Sequence, residues 1–354
     1  MKRTLTIVFI YLIILSCSKE KLTQKSVFDY RFGLSSSVLS IGKVNTVRID
    51  GNGVKWFTTE HQLISYNNSQ WNIYNALDTA NHVNDIFPYN NNNLWMGLTQ
   101  GAITMSTGSG VIQNSTLYNE SNSTLSSDIV NKVTVGNNGI AWFASAFSPC
   151  YLRNNKWDTI PYFSSNYPLH NFFQVYPITG FGVHGDTCYA STNGAGVARF
   201  VYGANDVDGV TGASSYQNFG PCPIPNNVNC VYVDSSSNQW YGSQSGLIYH
   251  PSLKFESQWL TYNNTSNGLI NNNVLTITKD KNNTLWIGTA AGISTFNLST
   301  INNPVFNNYT TSNGLSDNNI NSLAVDIDGS IWAATNNGIS HFKNNTWTAI
   351  KSIN

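Results

Sequence analysis

Charge is scarce in this 354-residue sequence, with 18 basic and 18 acidic side chains and a formal net charge of zero. Ordinary soluble domains carry roughly a quarter charged residues, and this one carries a tenth. No basic excess exists to neutralise phosphates, which argues against sequence-independent nucleic-acid binding. Glutamate is confined to Glu20, Glu60, Glu120 and Glu256, and arginine to five positions. A glycosidase built on two flanking carboxylates is therefore poorly supplied, and so is any site built on clustered arginines. No cysteines are spaced as in the paired C-x-x-C motifs of a structural zinc site. Nor does any apolar run reach the ~18 residues at which a stretch reads as a membrane-spanning helix.

The nearest approach to such a run is residues 5–15 (LTIVFIYLIIL), preceded by Lys2 and Arg3. It is too short to span a bilayer and has the layout of an export signal. It ends in Ile14-Leu15-Ser16-Cys17, which resembles a bacterial lipobox, and a polar run, Ser18-Lys19-Glu20-Lys21, follows. The resemblance implies that residues 1–16 are cleaved and that Cys17 is lipidated. Residues 17–43 would then tether the protein to the periplasmic or cell-surface side of the outer membrane, with the lipid as sole membrane contact. Export permits disulfides. Cys150, Cys188, Cys222 and Cys230 allow three pairings, and Cys222 and Cys230 are near enough in sequence to close a short loop.

What the sequence has in excess is asparagine, 51 residues, together with 10 Trp, 18 Tyr and 17 Phe. The tryptophans expose a repeat. Trp56, Trp95, Trp142, Trp240, Trp286 and Trp332 are separated by 39, 47, 98, 46 and 46 residues, and the long gap is two periods with Tyr189 inside it. Twelve residues before each tryptophan stands a β-branched residue: Val44, Val83, Val130, Val228, Val274 and Ile320. Trp71, Trp157 and Trp347 each follow a first-set tryptophan by 15 residues, and Trp259 follows by 19, so all ten belong to seven units.

Each unit reads as four short strands. In the last, residues 320–325 alternate and Asp326-Ile327-Asp328-Gly329 turns. Strands at 331–334, 339–342 and 347–350 follow, separated by Asn336-Asn337-Gly338 and Asn344-Asn345. Glycine and asparagine supply the positive φ that tight hairpins need. Four antiparallel strands repeated seven times predict an all-β fold, a seven-bladed β-propeller over residues 44–350. The large tryptophans are expected to fill the space between blades. Residues 178–186 and 201–215 read as interruptions of the fourth unit. Two segments compete as the outer strand that closes the ring, residues 27–30 and 347–350, and the second is preferred.

The run Leu285-Trp286-Ile287-Gly288-Thr289 with Gly292-Ile293, preceded by Asp280 and Asn283, resembles the two-component regulator propeller repeat. Asp326-Ile327-Asp328-Gly329-Ser330-Ile331-Trp332 with Gly338-Ile339 repeats it, and Asn318-Asn319-Ile320-Asn321 matches its opening segment. The resemblance is clearest in units five to seven and weakest in unit four. In that family the repeats form extracellular sensors of hybrid kinases, many responsive to oligosaccharides. No kinase or receiver accompanies them here, so the resemblance implies the fold and a binding habit rather than signalling.

In a propeller the loops entering the innermost strands and those joining strands two and three share one face. That face is expected to carry Glu60, His61, His82, Gln100, Asp128, His170, Asn193, Gln244, Asn319 and Asn337, amides and imidazoles suited to sugar hydroxyls or peptide backbone. Phe147, Phe172 and Phe173 would add flat apolar surface. His61, His82 and His170 come from blades one, two and four, which argues against a shared metal ion, and Asp206-Val207-Asp208-Gly209 lacks the downstream acids of a calcium loop. The turn aspartates Asp50, Asp234, Asp280 and Asp326 fall at the opposite end. Asp78-Thr79-Ala80 and Asp158-Thr159-Ile160 loosely match an O-glycosylation tripeptide. The expectation is a lipid-anchored envelope propeller that binds a glycan or extended peptide across the channel mouth, without cofactor or catalysis. A propeller that docks an envelope protein partner is the alternative, and a lyase or hydrolase a third reading.

Overall fold

A computed structural model describes residues 39–75, 82–146, 149–159, 176–202, 210–216, 223–251 and 259–353. Seven four-stranded antiparallel sheets, each built from consecutive strands, form the seven blades of a β-propeller. The blades cover residues 46–75, 83–118, 130–159, 178–216, 228–262, 274–309 and 320–350. The innermost strands pack side by side, and that of blade seven (Ile320–Val325) lies against that of blade one (Thr46–Ile49), closing the ring.

The outer strand of blade seven is Thr346–Ile350, paired to Gly338–Lys343 within its own blade. The competing segment at residues 27–30 lies outside the described residues. A separate clasp joins the two ends of the ring: Leu39 and Ser40 pair antiparallel with Ile353 and Ser352. Ile41 and Ile353 are buried with Phe57 and Trp332 in the core between blades one and seven.

Trp56, Trp95, Trp142, Trp240, Trp286 and Trp332 sit where the repeat places them, each on the second strand and facing the next blade. Trp332 meets Phe57 edge-on at 5.8 Å, Trp95 meets Phe143 at 4.9 Å, and Trp286 meets Trp347 at 6.2 Å. Such edge-to-face contacts add to the area each ring buries. Outer-strand tryptophans pack backwards, Trp157 against Trp95 at 6.1 Å. Tyr189 takes the tryptophan place in blade four and is buried.

Blade four corrects one expectation. The segments read as interruptions contain its inner strand, Ile178–His184, and its outer strand, Val210–Tyr216. The inner strand looked like a loop because it carries Gly180 and Gly182. A Cβ on Gly182 would stand 2.9 Å from Val233 and 3.0 Å from Val231, so close approach to blade five demands the glycine.

Six inner strands carry a bulge at one place, where the second residue of the strand has no cross-strand partner. In four of them the side chain there hydrogen-bonds the next blade. Asn84 Nδ2 donates to the Val130 carbonyl at 3.0 Å, Asn229 to Val274 at 2.8 Å, and Asn321 to Val44 at 2.8 Å. In blade four Thr179 Oγ1 donates likewise to Val228. Part of the asparagine excess therefore ties blades together rather than making turns.

Candidate functional site

The second strand of each blade returns the chain to the face where the inner strands begin. In blade six Thr289 Oγ1 donates to the Gly292 carbonyl at 2.8 Å and accepts from the Ala291 amide at 3.1 Å. Gly292 has φ +139°, and a Cβ there would lie 2.4 Å from the Tyr309 carbonyl. The turn is thus fixed by one hydroxyl and one glycine, leaving its remaining side chains to face solvent.

Blades one and two use this architecture to build a cleft. Glu60 and His61 form the turn between Lys55–Thr58 and Gln62–Asn67, and His82 immediately precedes Val83–Tyr89. The turn is closed by the Thr59 amide donating to the Gln62 carbonyl at 2.9 Å. Across the seam, the Val83 amide donates to the Glu60 carbonyl at 2.9 Å. His82 is held by its own amide on Thr99 Oγ1 at 2.9 Å and by the Thr99 amide on its carbonyl at 3.2 Å. These bonds bring His82 Nδ1 to 3.5 Å from Glu60 Oε1 and set the His61 and His82 rings edge to face at 4.9 Å. One ligand-capable atom from each of the three residues lies within 4.8 Å of the others. The surrounding cleft has a volume of about 670 Å³, and Lys43, Asn45, Gln62 and Asn84 also line it.

The separation argued for the histidines from the blade count therefore does not hold for His61 and His82. Blades one and two are adjacent, and the turn of one overhangs the strand entry of the next. Gln100, Gln244 and Asn337 stand exposed in the equivalent turns of blades two, five and seven. Asn193 forms an isolated backbone bridge with Asn227. Asp128 and Glu120 exchange backbone-to-carboxylate bonds at 2.8 and 3.0 Å. The Asn319 amide donates to Asp317 at 2.8 Å. None of these six lines the cleft that Glu60, His61 and His82 share. Cys17, Phe147, His170, Phe172, Phe173, Cys222 and the Asp206-to-Gly209 turn lie outside the described residues. Cys150, Cys188 and Cys230 are free thiols, and burial raises the pKa of each.

Two functional-looking residues escaped the sequence reading. The channel, about 460 Å³, is lined by inner-strand residues of all seven blades. In its wall Asp85, 2% exposed, accepts from Thr46 Oγ1 at 3.3 Å and from the Val133 amide at 3.2 Å. Arg48 stands 3.9 Å from Asp85 and donates to Ser322 Oγ at 2.9 Å. The group links blades one, two, three and seven. Asp85 is the second residue after Val83, a position filled by Thr46, Lys132 and Ser322 in other blades. A lone acid at an otherwise variable repeat position was the available signal.

Among the described residues no helix is long and apolar enough to cross a membrane. No curated protein matches the chain in sequence. Among solved structures it is similar to the extracellular domain of BT4673 from B. thetaiotaomicron, with 20% identity and a TM-score of 0.42, covering 89% of this chain and 43% of that one. It is similar to PorZ, a surface component of the type-IX secretion system of Porphyromonas gingivalis, with 12% identity and a TM-score of 0.56, covering 92% and 39%. A chain of the mitotic checkpoint complex aligns with 11% identity and a TM-score of 0.60, covering 89% and 94%. The chain thus spans less than half the length of the first two. Likeness at these identities is one of fold. In sequence, the two component regulator propeller model matches residues 268–291 and 314–337, so these two segments, leading into and through the second strands of blades six and seven, are similar to the repeats of that family.

Proposed function

We propose that this propeller binds a polar ligand, a glycan or an extended peptide, in the cleft between blades one and two, and performs no covalent chemistry on it. The observation that carries this reading is the cleft of about 670 Å³ itself, where Lys43, Asn45, Glu60, His61, Gln62 and His82 present hydrogen-bonding side chains on turns fixed by backbone bonds. Imidazole, amide, ammonium and carboxylate together both donate and accept, as hydroxyl-rich or amide-rich ligands require. In this reading the export signal is removed and the lipid on Cys17 holds the propeller on a membrane as a lipoprotein, with the cleft facing the periplasm or the cell exterior. Docking of an envelope protein is the second reading. Against it, the large exposed apolar side chains among the described residues are three, Ile129, Val305 and Ile327, each in a different loop.

The test is thermal unfolding against a panel of oligosaccharides and envelope glycans. A ligand at about 100 times its Kd adds about 2.7 kcal/mol, a shift of several degrees for a domain of this size. The shift should vanish in Lys43→Ala and His82→Ala while unliganded unfolding stays the same. Silence across the panel would overturn the glycan reading and turn attention to crosslinking of a protein partner.

A further inference from the structure

We infer that Glu60, His61 and His82 form a binding site for a divalent first-row transition ion, with Zn²⁺ as its simplest occupant. The inference stands apart from the identity of any cleft ligand, because it rests on the three side chains alone. Two imidazoles and one carboxylate are a set that such ions accept readily. Tetrahedral zinc with bonds of about 2.0–2.1 Å places its ligand atoms about 3.3–3.4 Å apart. The His82 Nδ1 to Glu60 Oε1 distance, 3.5 Å, is close to that length, and all three ligand atoms fall within 4.8 Å of one another.

Two further observations point the same way. Nδ1 of His61 is shielded from water and has no hydrogen-bond partner among the described residues, an arrangement that leaves one edge of a half-buried imidazole unsatisfied. Moreover, Glu60 and His82 are 65% and 43% exposed at their side chains, yet their backbones are locked by the bonds to Val83 and Thr99. The ligands thus combine access for an ion with a rigid frame, which metal affinity rewards. Three protein ligands leave the fourth position to water or to an oxygen of whatever enters the cleft. The ion would also bridge blades one and two.

The experiment uses the full chain without a histidine tag, stripped with chelator and titrated with Zn²⁺ by calorimetry. Cobalt substitution followed by visible spectroscopy runs in parallel. One ion per chain is expected, with the absorption of tetrahedral Co²⁺ and no thiolate charge-transfer band. Loss of an outer-shell partner typically weakens a metal site about 10–100-fold, so His82→Ala should weaken this one by at least about 100-fold. Glu60→Gln, an exposed and nearly isosteric change, should weaken it as well. His184→Ala, remote from the cluster, should leave binding unchanged. In chelator all variants should unfold with the wild type, and Zn²⁺ should raise the unfolding temperature of the wild type and His184→Ala more than that of His82→Ala or Glu60→Gln. Absence of saturable binding at millimolar Zn²⁺ would overturn the assignment. So would undiminished binding in a His61→Ala/His82→Ala variant, or thiolate absorption in the cobalt form.

Discussion

The indole nitrogen of Trp286 donates to Oδ2 of Asp280 at 2.9 Å, while Oδ1 of the same carboxylate accepts from the amides of Asn282 and Thr284 at 2.8 and 2.9 Å. One aspartate thus closes the first hairpin of blade six and anchors the ring that fills the gap to blade seven. Asp50 does the same for Trp56, at 3.0 Å, and the six-residue spacing of the two residues in the repeat follows from this geometry.

Asp280→Ala should therefore cost more than a surface turn change. Hydrogen bonds to a charged acceptor are worth about 1.5–3 kcal/mol each; water takes over the half-exposed turn amides in part, so a loss of about 3 kcal/mol is expected by urea unfolding. A double-mutant cycle with Trp286→Phe should show a coupling of at least about 1 kcal/mol. Additive effects would mean that the aspartate serves the turn alone.

Asn321→Ala should loosen the ring at the junction of blades seven and one. It removes the bonds to the Val44 carbonyl at 2.8 Å and to Asn336 Oδ1 at 3.0 Å. A loss of about 1–2 kcal/mol is expected, with faster proteolysis of the native protein. A change within ±0.3 kcal/mol of wild type would show that water replaces the tie at no net loss.

Glycines of the second-to-third-strand turns should not tolerate alanine. In Gly292→Ala the new methyl would stand 2.4 Å from the Tyr309 carbonyl. Gly185, with φ +55° and open space around it, bears only the left-handed backbone, worth about 1–2 kcal/mol. Gly292→Ala should exceed that by a clear margin in the same denaturant series, and equal effects would deny the steric argument.

Alkaline pH should destabilise the fold. Burial, and secondarily the charge of Asp234, pushes Tyr232 from 10.0 up to about 12. Burial likewise takes Cys230 from 9.0 to about 12. Above the unfolded values the unfolded chain has released protons that the folded chain keeps, so stability falls as pH rises from about 9 towards 12. The urea midpoint should hold across the neutral range and decline above it. Cys150 and Cys188 should resist thiol reagents until unfolding.

The blade count was legible because each tryptophan does one job in every repeat, so its spacing survives even where the rest of a unit drifts. The turn aspartates were visible too, though their hold on the indoles was not, since a side-chain bond leaves no periodicity of its own. Asparagine misled in part: in turns it supplies positive φ, as at Asn283 with φ 59°, but Asn84, Asn229 and Asn321 reach across blades, and composition cannot separate the two uses. Blade four hid its inner strand because close packing there requires glycine, the residue that elsewhere marks a turn. At the site, Glu60, His61 and His82 were each singled out from the sequence, but the pairing of His61 with His82 was not. Their 21-residue separation in sequence spans the rest of one blade, and only the overhang of one blade on the next brings them together.

The clasp of Leu39 and Ser40 on Ile353 and Ser352 has a mechanical consequence. The segment arriving at Leu39 and the one departing after Ile353 leave the antiparallel pair at the same end. A force drawing them apart loads its hydrogen bonds one after another, as in a zipper, rather than all at once. Beyond the clasp the load falls on the Val44–Thr335 and Asn321–Val44 ties. Tension applied through the ends should open the propeller at this one seam, leaving each blade whole.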